Sequence, residues 1–170
     1  MSRATETGER AAFIQNAVGA GLGPFESWLL LRSLKTLPLR IKKHAENALA
    51  VAQFLHSHPK VRNLRYPGLA SDPGHSVLAR QSTSFGGMIS FEAASREAVE
   101  RMLASVRVFM FAESLGAPES LITYPLVQTH ADIDQATRDR IGLTDCLVRL
   151  SIGLEDPADL IADLAAVLDA

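Results

Sequence analysis

Apolar positions recur along this chain with two different periods, and the change from one to the other divides it. From Pro24 to His56 the period is helical: Leu34, Leu37, Ile41, His44, Ala48, Val51 and Leu55 follow one another at alternating spacings of three and four. Pro38 interrupts that face because it lacks an amide hydrogen and crowds the preceding turn, so a kink or break is expected near Leu37. Phe25, Trp28, Leu29, Leu30 and Leu31 add apolar positions that nearly encircle the first turns. A helix that is apolar all round is buried on more than one side. Upstream, residues 1–10 read as a frayed start and 11–18 as a short helix, with the glycines and proline of 19–24 as the break that follows.

After Pro59 the period shortens to two. Strands are expected at 61–66, running into the Pro67-Gly68 turn, and at 85–91, 106–112, 121–124 and from Leu147 onward. Short helices separate them at 76–81, at 95–103 with Ser95 as N-cap, and at 136–141. Asp156-Pro157 supplies a cap and a first helical position for the last helix, whose inner face is Leu160, Ile161, Leu164, Ala165 and Leu168. The expected fold class is α+β: a long kinked N-terminal helix followed by a small, mainly antiparallel sheet of about four strands covered by helices. The expected division is a helical segment over 1–57 and a sheet domain over 58–170.

The strand at 147 carries a charge on one of its faces. Val148, Leu150 and Ile152 fall on one side, and Leu147, Arg149 and Ser151 on the other. A half-buried guanidinium needs a partner, and its planar fork suits a carboxylate. An internal pair with an Asp or Glu of the same chain is the ordinary answer.

Composition narrows the classes of function. With 170 residues, 47% hydrophobic, one full-sized core is expected. The net charge is −2 and no dense Lys/Arg cluster occurs, so no nucleic-acid footprint is visible. Trp28–Leu31 is stopped by Arg32 and is far too short to span a bilayer, and no leader pattern precedes it; no membrane association is expected. Cys146 is the single cysteine, which excludes an internal disulfide and fits a reducing cytoplasm; it reads as a small hydrophobe rather than a reactive thiol.

Few candidates for chemistry stand out. Gly19-Ala20-Gly21-Leu22-Gly23 follows no strand and is a helix break rather than a dinucleotide loop. His56 and His58 lack a Cys or carboxylate at ligand spacing, and His44, His75 and His130 are isolated, so no metal site is expected. Residues 111–121 form a polar loop between two strands, where Glu113 and Ser114 serve either a ligand or nearby backbone.

Taken together these stretches resemble a known family. Phe13–Asn16 with Gly23-Pro24-Phe25, Leu31–Leu37, Tyr66–Leu69, Phe85–Met88, Ala112–Gly116, Thr129-His130 and Leu147–Asp156 match, in order, the C-terminal part of the Cys/Met-metabolism enzymes that use pyridoxal phosphate. That group contains the cystathionine γ-synthases, γ-lyases and β-lyases and the methionine γ-lyases. The resemblance implies the C-terminal domain of a fold-type I pyridoxal phosphate enzyme, with residues 1–57 as the helical connection that would lie on a cofactor domain. It implies a sulfur amino-acid substrate, C–S bond formation or cleavage, and pyridoxal phosphate as cofactor. Arg149 corresponds to the arginine that grips the substrate α-carboxylate, Ser114 to a serine near that carboxylate, Glu113 to a residue shaping the pocket, and Thr129 to a threonine at its edge. Glu113 is what the family members acting at the γ carbon resemble at this position.

The resemblance also has a gap. The cofactor lysine of the family sits in a Ser-x-Thr-Lys context, whereas this chain has only Lys35, Lys42, Lys43 and Lys60, none of them so placed. No catalytic residue and no complete cofactor site is therefore expected in the chain, and no turnover by it alone. The alternatives are a non-catalytic assembly partner, one half of a split enzyme with a separate cofactor-domain chain or a homo-oligomer formed through Trp28–Leu31, and a truncated-gene remnant.

Overall fold

Where the long helical pattern meets Pro38, the helix breaks. The computed structural model describes residues 5–169, and in it α1 runs over Thr5–Val18, α2 over Pro24–Leu34 and α3 over Leu37–Ser57. The end of α2 tightens: the Lys35 and Thr36 amides donate to Arg32 O and Ser33 O, three residues back, and Pro38 falls in the first turn of α3, where its missing donor costs nothing. The chain forms two compact units that divide at Pro38/Leu39. Their division falls inside α3, so residues 39–57 of the helical segment expected over 1–57 belong to the sheet unit. Thr5–Arg10, expected to be frayed, is helical, whereas residues 1–4 lie outside the described part.

In the first unit no residue of α1 or α2 is buried. Phe25 and Trp28 stack at 5.9 Å between ring centroids, and the Arg32 guanidinium lies 5.8 Å over the Trp28 ring. The apolar surround of α2 read from the sequence is open in the structure, with Phe25 65% and Leu31 63% exposed.

The second unit is built on a five-stranded sheet of order β1-β2-β5-β4-β3, made of β1 (Arg62–Arg65), β2 (Met88–Glu92), β3 (Met110–Phe111), β4 (Leu121–Thr123) and β5 (Leu147–Ser151). Ile89 and Phe91, Val148 and Leu150, and Ile122 alternate onto one face. There they form a core with Val51, Ala52 and Leu55 of α3, Val99 and Met102 of α5 (Arg96–Ser105), and Leu160 and Leu164 of α7 (Pro157–Asp169). Each large apolar side chain so buried contributes about 1.5–3 kcal/mol. Two short helices, α4 (His75–Gln81) and α6 (Gln135–Ile141), complete the unit. The caps are as the sequence indicates: Ser95 Oγ accepts the Ala98 amide, and Asp156 Oδ1 the Ala158 amide.

The sheet is mainly antiparallel as expected, with five strands and one parallel pair, β3 with β4. One buried carboxylate accounts for much of this. Asp163 of α7 accepts the amides of Arg107, Val108 and Phe109 at 2.9–3.2 Å, so these residues are spent on α7 and only Met110–Phe111 pair with β4. Because Phe111 pairs in parallel with Ile122, residues 112–120 must double back along the sheet.

Candidate functional site

That returning loop meets β5 at Arg149. In the ladder, Arg149 lies opposite Ser90 of β2 on one side and Thr123 of β4 on the other, on the sheet face away from the core. Arg149 Nη2 donates to Thr123 Oγ1 at 3.3 Å and to the Ser114 carbonyl at 3.4 Å, and its Nε is buried without a partner. Among the described residues no Asp or Glu forms an ion pair with it. The carboxylate next along the face, Glu92, is occupied by Asn63 Nδ2 at 2.6 Å and Thr144 Oγ1 at 2.9 Å. The internal ion pair considered from the sequence is therefore not formed. Two long, neutral contacts orient the guanidinium and leave donors for an anion.

The loop that supplies the Ser114 carbonyl is tied at both feet and in the middle. At one foot the Ala112 amide donates to Ile122 O, and Thr123 Oγ1 donates to Ala112 O while accepting from Arg149. In the middle the Gly116 amide donates to Ser151 Oγ at 2.9 Å. At the other foot the fully buried Ser120 gives its amide and its hydroxyl to the two carboxylate oxygens of Glu155, at 2.7 and 2.8 Å. Ser120 Oγ also accepts the Gly153 amide at 2.7 Å.

The end of β5 is held from the α3 side as well. His44 Nδ1 bonds the Ile152 carbonyl at 2.6 Å, and Asn47 Nδ2 donates to the carbonyls of Gly153 and Glu155. Gly153 sits where no side chain fits, since a Cβ there would lie 2.3 Å from Pro118 O and 2.4 Å from Glu155 Oε2.

Of the four residues singled out from the sequence, the structure joins two. Arg149 and Ser114 meet, although Ser114 contributes its backbone carbonyl. Glu113 is exposed beside Ser114, with no hydrogen bond or ion pair among the described residues. Thr129 is exposed and paired with His130 Nδ1 at 2.6 Å. Sequence reasoning missed Thr123, Ser120, Glu155 and Asn47, and it placed Ser151 on the Arg149 face without giving it a role. Strand alternation was the one sign available for Thr123, and the others had none, because their partners are distant in the chain.

The donor set of the sheet unit does not make a pyridoxal phosphate site. Lys42 pairs with Glu46, Lys60 donates to the Asp169 carbonyl, Lys43 is half-buried on α3, and none is bonded to Arg149, Ser114 or Thr123. Lys35 follows α2 in the other unit. No group of three or more His, Cys, Asp or Glu side chains among the described residues could hold a metal ion, and no described helix is long and apolar enough to cross a membrane.

The fold and the site thus define an α+β unit with a loop-braced arginine on the open sheet face that forms no ion pair among the described residues. Comparison with known proteins gives it a lineage. Residues 1–169 match the family described as Cys/Met metabolism PLP-dependent enzyme, and the chain belongs to that family. It is 50% identical over 164 residues to the cystathionine gamma-synthase of Mycobacterium bovis, covering 96% of this chain and 42% of that protein. To the cystathionine gamma-lyase of Bacillus subtilis it is 46% identical over 169 residues, covering 99% and 45%. The crystal structure of cystathionine gamma synthase from Xanthomonas oryzae pv. oryzae in complex with cystathionine matches at 43% identity with a TM-score of 0.92, over 99% of this chain and 44% of that one. The chain thus spans less than half the length of these relatives.

Proposed function

We propose that this chain is the substrate-carboxylate-binding part of a transsulfuration enzyme, acting on cystathionine or a related sulfur amino acid. The observation that carries the reading is Arg149: oriented by two neutral acceptors, paired with no internal carboxylate, and possessed of donors in a fork that fits one. In this role Arg149 takes the α-carboxylate, the Ser114 carbonyl and Thr123 hydroxyl hold the guanidinium in place, and Glu113 and Thr129 shape the rim of the pocket. The parent family's cofactor is pyridoxal phosphate, which supplies the electron sink for C–S chemistry when bound. No lysine of the sheet unit is positioned to hold it, so the chemistry belongs to a cofactor-bearing part in cis or in trans. The relatives include both a gamma-synthase and a gamma-lyase.

A partner surface belongs to the same reading, since Phe25, Trp28, Leu30 and Leu31 are half or more exposed. Association with a cofactor-domain chain or with a second copy, in a reducing cytoplasm, is the setting we assign. The test is direct. Purified chain mixed with pyridoxal phosphate and L-cystathionine should give no Schiff-base absorbance assignable to a protein lysine and no release of cysteine or homocysteine. Sustained turnover by the chain alone would overturn the reading.

A further inference from the structure

We propose that Ser120 and Glu155 are positioning residues that preset the Arg149 guanidinium by clasping the far foot of the loop it leans on. The geometry has three links. Glu155 spends both carboxylate oxygens on Ser120, at 2.7 and 2.8 Å, and pairs with no lysine or arginine among the described residues. Ser120, with no exposed surface, passes the contact on by accepting the Gly153 amide, while the Leu154 amide donates to Pro118 O at 2.7 Å. Asn47 holds the same turn from α3 through the Gly153 and Glu155 carbonyls.

These bonds fix where the returning loop ends. The loop in turn fixes both acceptors of Arg149, because Ser114 O lies within it and Thr123 Oγ1 is committed to Ala112 O at its first foot. Contacts of 3.3 and 3.4 Å are near the limit of hydrogen bonding, so a small drift of the loop releases the side chain. Bonds to a carboxylate are stronger than neutral ones, which makes the Glu155–Ser120 pair the firmest of the loop's attachments. The effect on ligand affinity rests on Arg149 being the carboxylate site; the effect on Arg149 itself does not.

The test uses the full, isotope-labelled 170-residue chain and the Nε–H resonance of Arg149, assigned by its loss in R149K. S120A and E155A should move that resonance toward the position of exposed arginines and speed its exchange with water about tenfold. E155Q, which keeps one acceptor oxygen, should give an intermediate shift. The amides of Arg107–Phe109, held by Asp163 elsewhere, should stay put. An unmoved Arg149 resonance in folded S120A or E155A overturns the proposal. If neither alanine variant folds, an unmoved resonance in E155Q does so. A titration with L-cystathionine separates the two readings: S120A should weaken carboxylate-dependent binding about fivefold or more in the wild-type background and not at all in R149M. Absence of such binding in the wild-type chain refutes the substrate role of Arg149, while the ligand-free resonance still decides the clasp.

Discussion

Gly153→Ala should be among the most damaging single-methyl additions in this protein. The added Cβ would lie 2.3 Å from the Pro118 carbonyl oxygen, 2.4 Å from Glu155 Oε2 and 2.6 Å from the backbone carbon of Glu119, so backbone and not merely a flexible side chain must give way. Overpacking a closed site costs about 1–3 kcal/mol. Moving the turn also stretches the Gly153–Ser120 and Leu154–Pro118 bonds, each worth about 0.5–1.5 kcal/mol. The combined loss is about 2–6 kcal/mol, which for a unit of this size lowers the melting temperature by roughly 8–24 °C.

Two neighbours calibrate the argument. A Cβ on Gly87 would meet the Ile152 carbonyl at 3.1 Å and His44 Cβ at 3.2 Å, a conflict relieved by a few tenths of an ångström. Gly86 has φ +69° with open space around it, so alanine there incurs only backbone strain of about 1 kcal/mol. Thermal melts followed by circular dichroism should therefore place G153A well below G87A and G86A. A G153A melt within about 2 °C of wild type, or above that of G86A, would refute the close approach of the loop to β5 on which the site rests.

Asp163→Asn removes a charge that accepts three successive amides and turns a donor toward them, and should cost about 2–4 kcal/mol in urea unfolding; a loss under about 0.5 kcal/mol would contradict the role given to it in setting β3. Burial, and donation of its thiol to Asp145, push the Cys146 pKa up, so at mildly alkaline pH it should react with a thiol reagent more slowly in the folded chain than after denaturation. Both tyrosines are raised by burial, Tyr66 to about 12. The folded chain keeps phenolic protons that the unfolded chain releases near pH 10. Stability is therefore full below about pH 10 and falls as pH rises toward 12, with phenolate absorbance lagging that of the denatured chain.

The elements governed by local rules were legible in the sequence. Pro38 marked the break, the run from His44 to Leu55 marked the buried face of α3, and the alternation of Val148, Arg149 and Leu150 placed the arginine opposite the core. The same helical run extends through Leu34, Leu37 and Ile41, yet these are 36–47% exposed, and the buried positions of α3 begin only at His44. What was not legible depends on partners far along the chain. Thr123 meets Arg149 across 26 residues, Ser120 meets Glu155 across 35, and Asn47 meets Gly153 across 106. No periodicity encodes such pairings. The parallel β3–β4 contact was hidden for a related reason: an apolar run at 106–112 reads as one strand until Asp163 claims the amides of its first half.

The central claim is that Arg149 accepts the carboxylate of an amino-acid ligand, and one measurement addresses it most directly. The dissociation constants of L-cystathionine and of its analogue with both carboxylates amidated are determined for the wild-type chain and for R149M. Wild type should prefer the acid by about tenfold to a hundredfold, R149M should lose the preference, and R149K should retain only part of it. Equal affinities of wild type and R149M for the acid would contradict the claim.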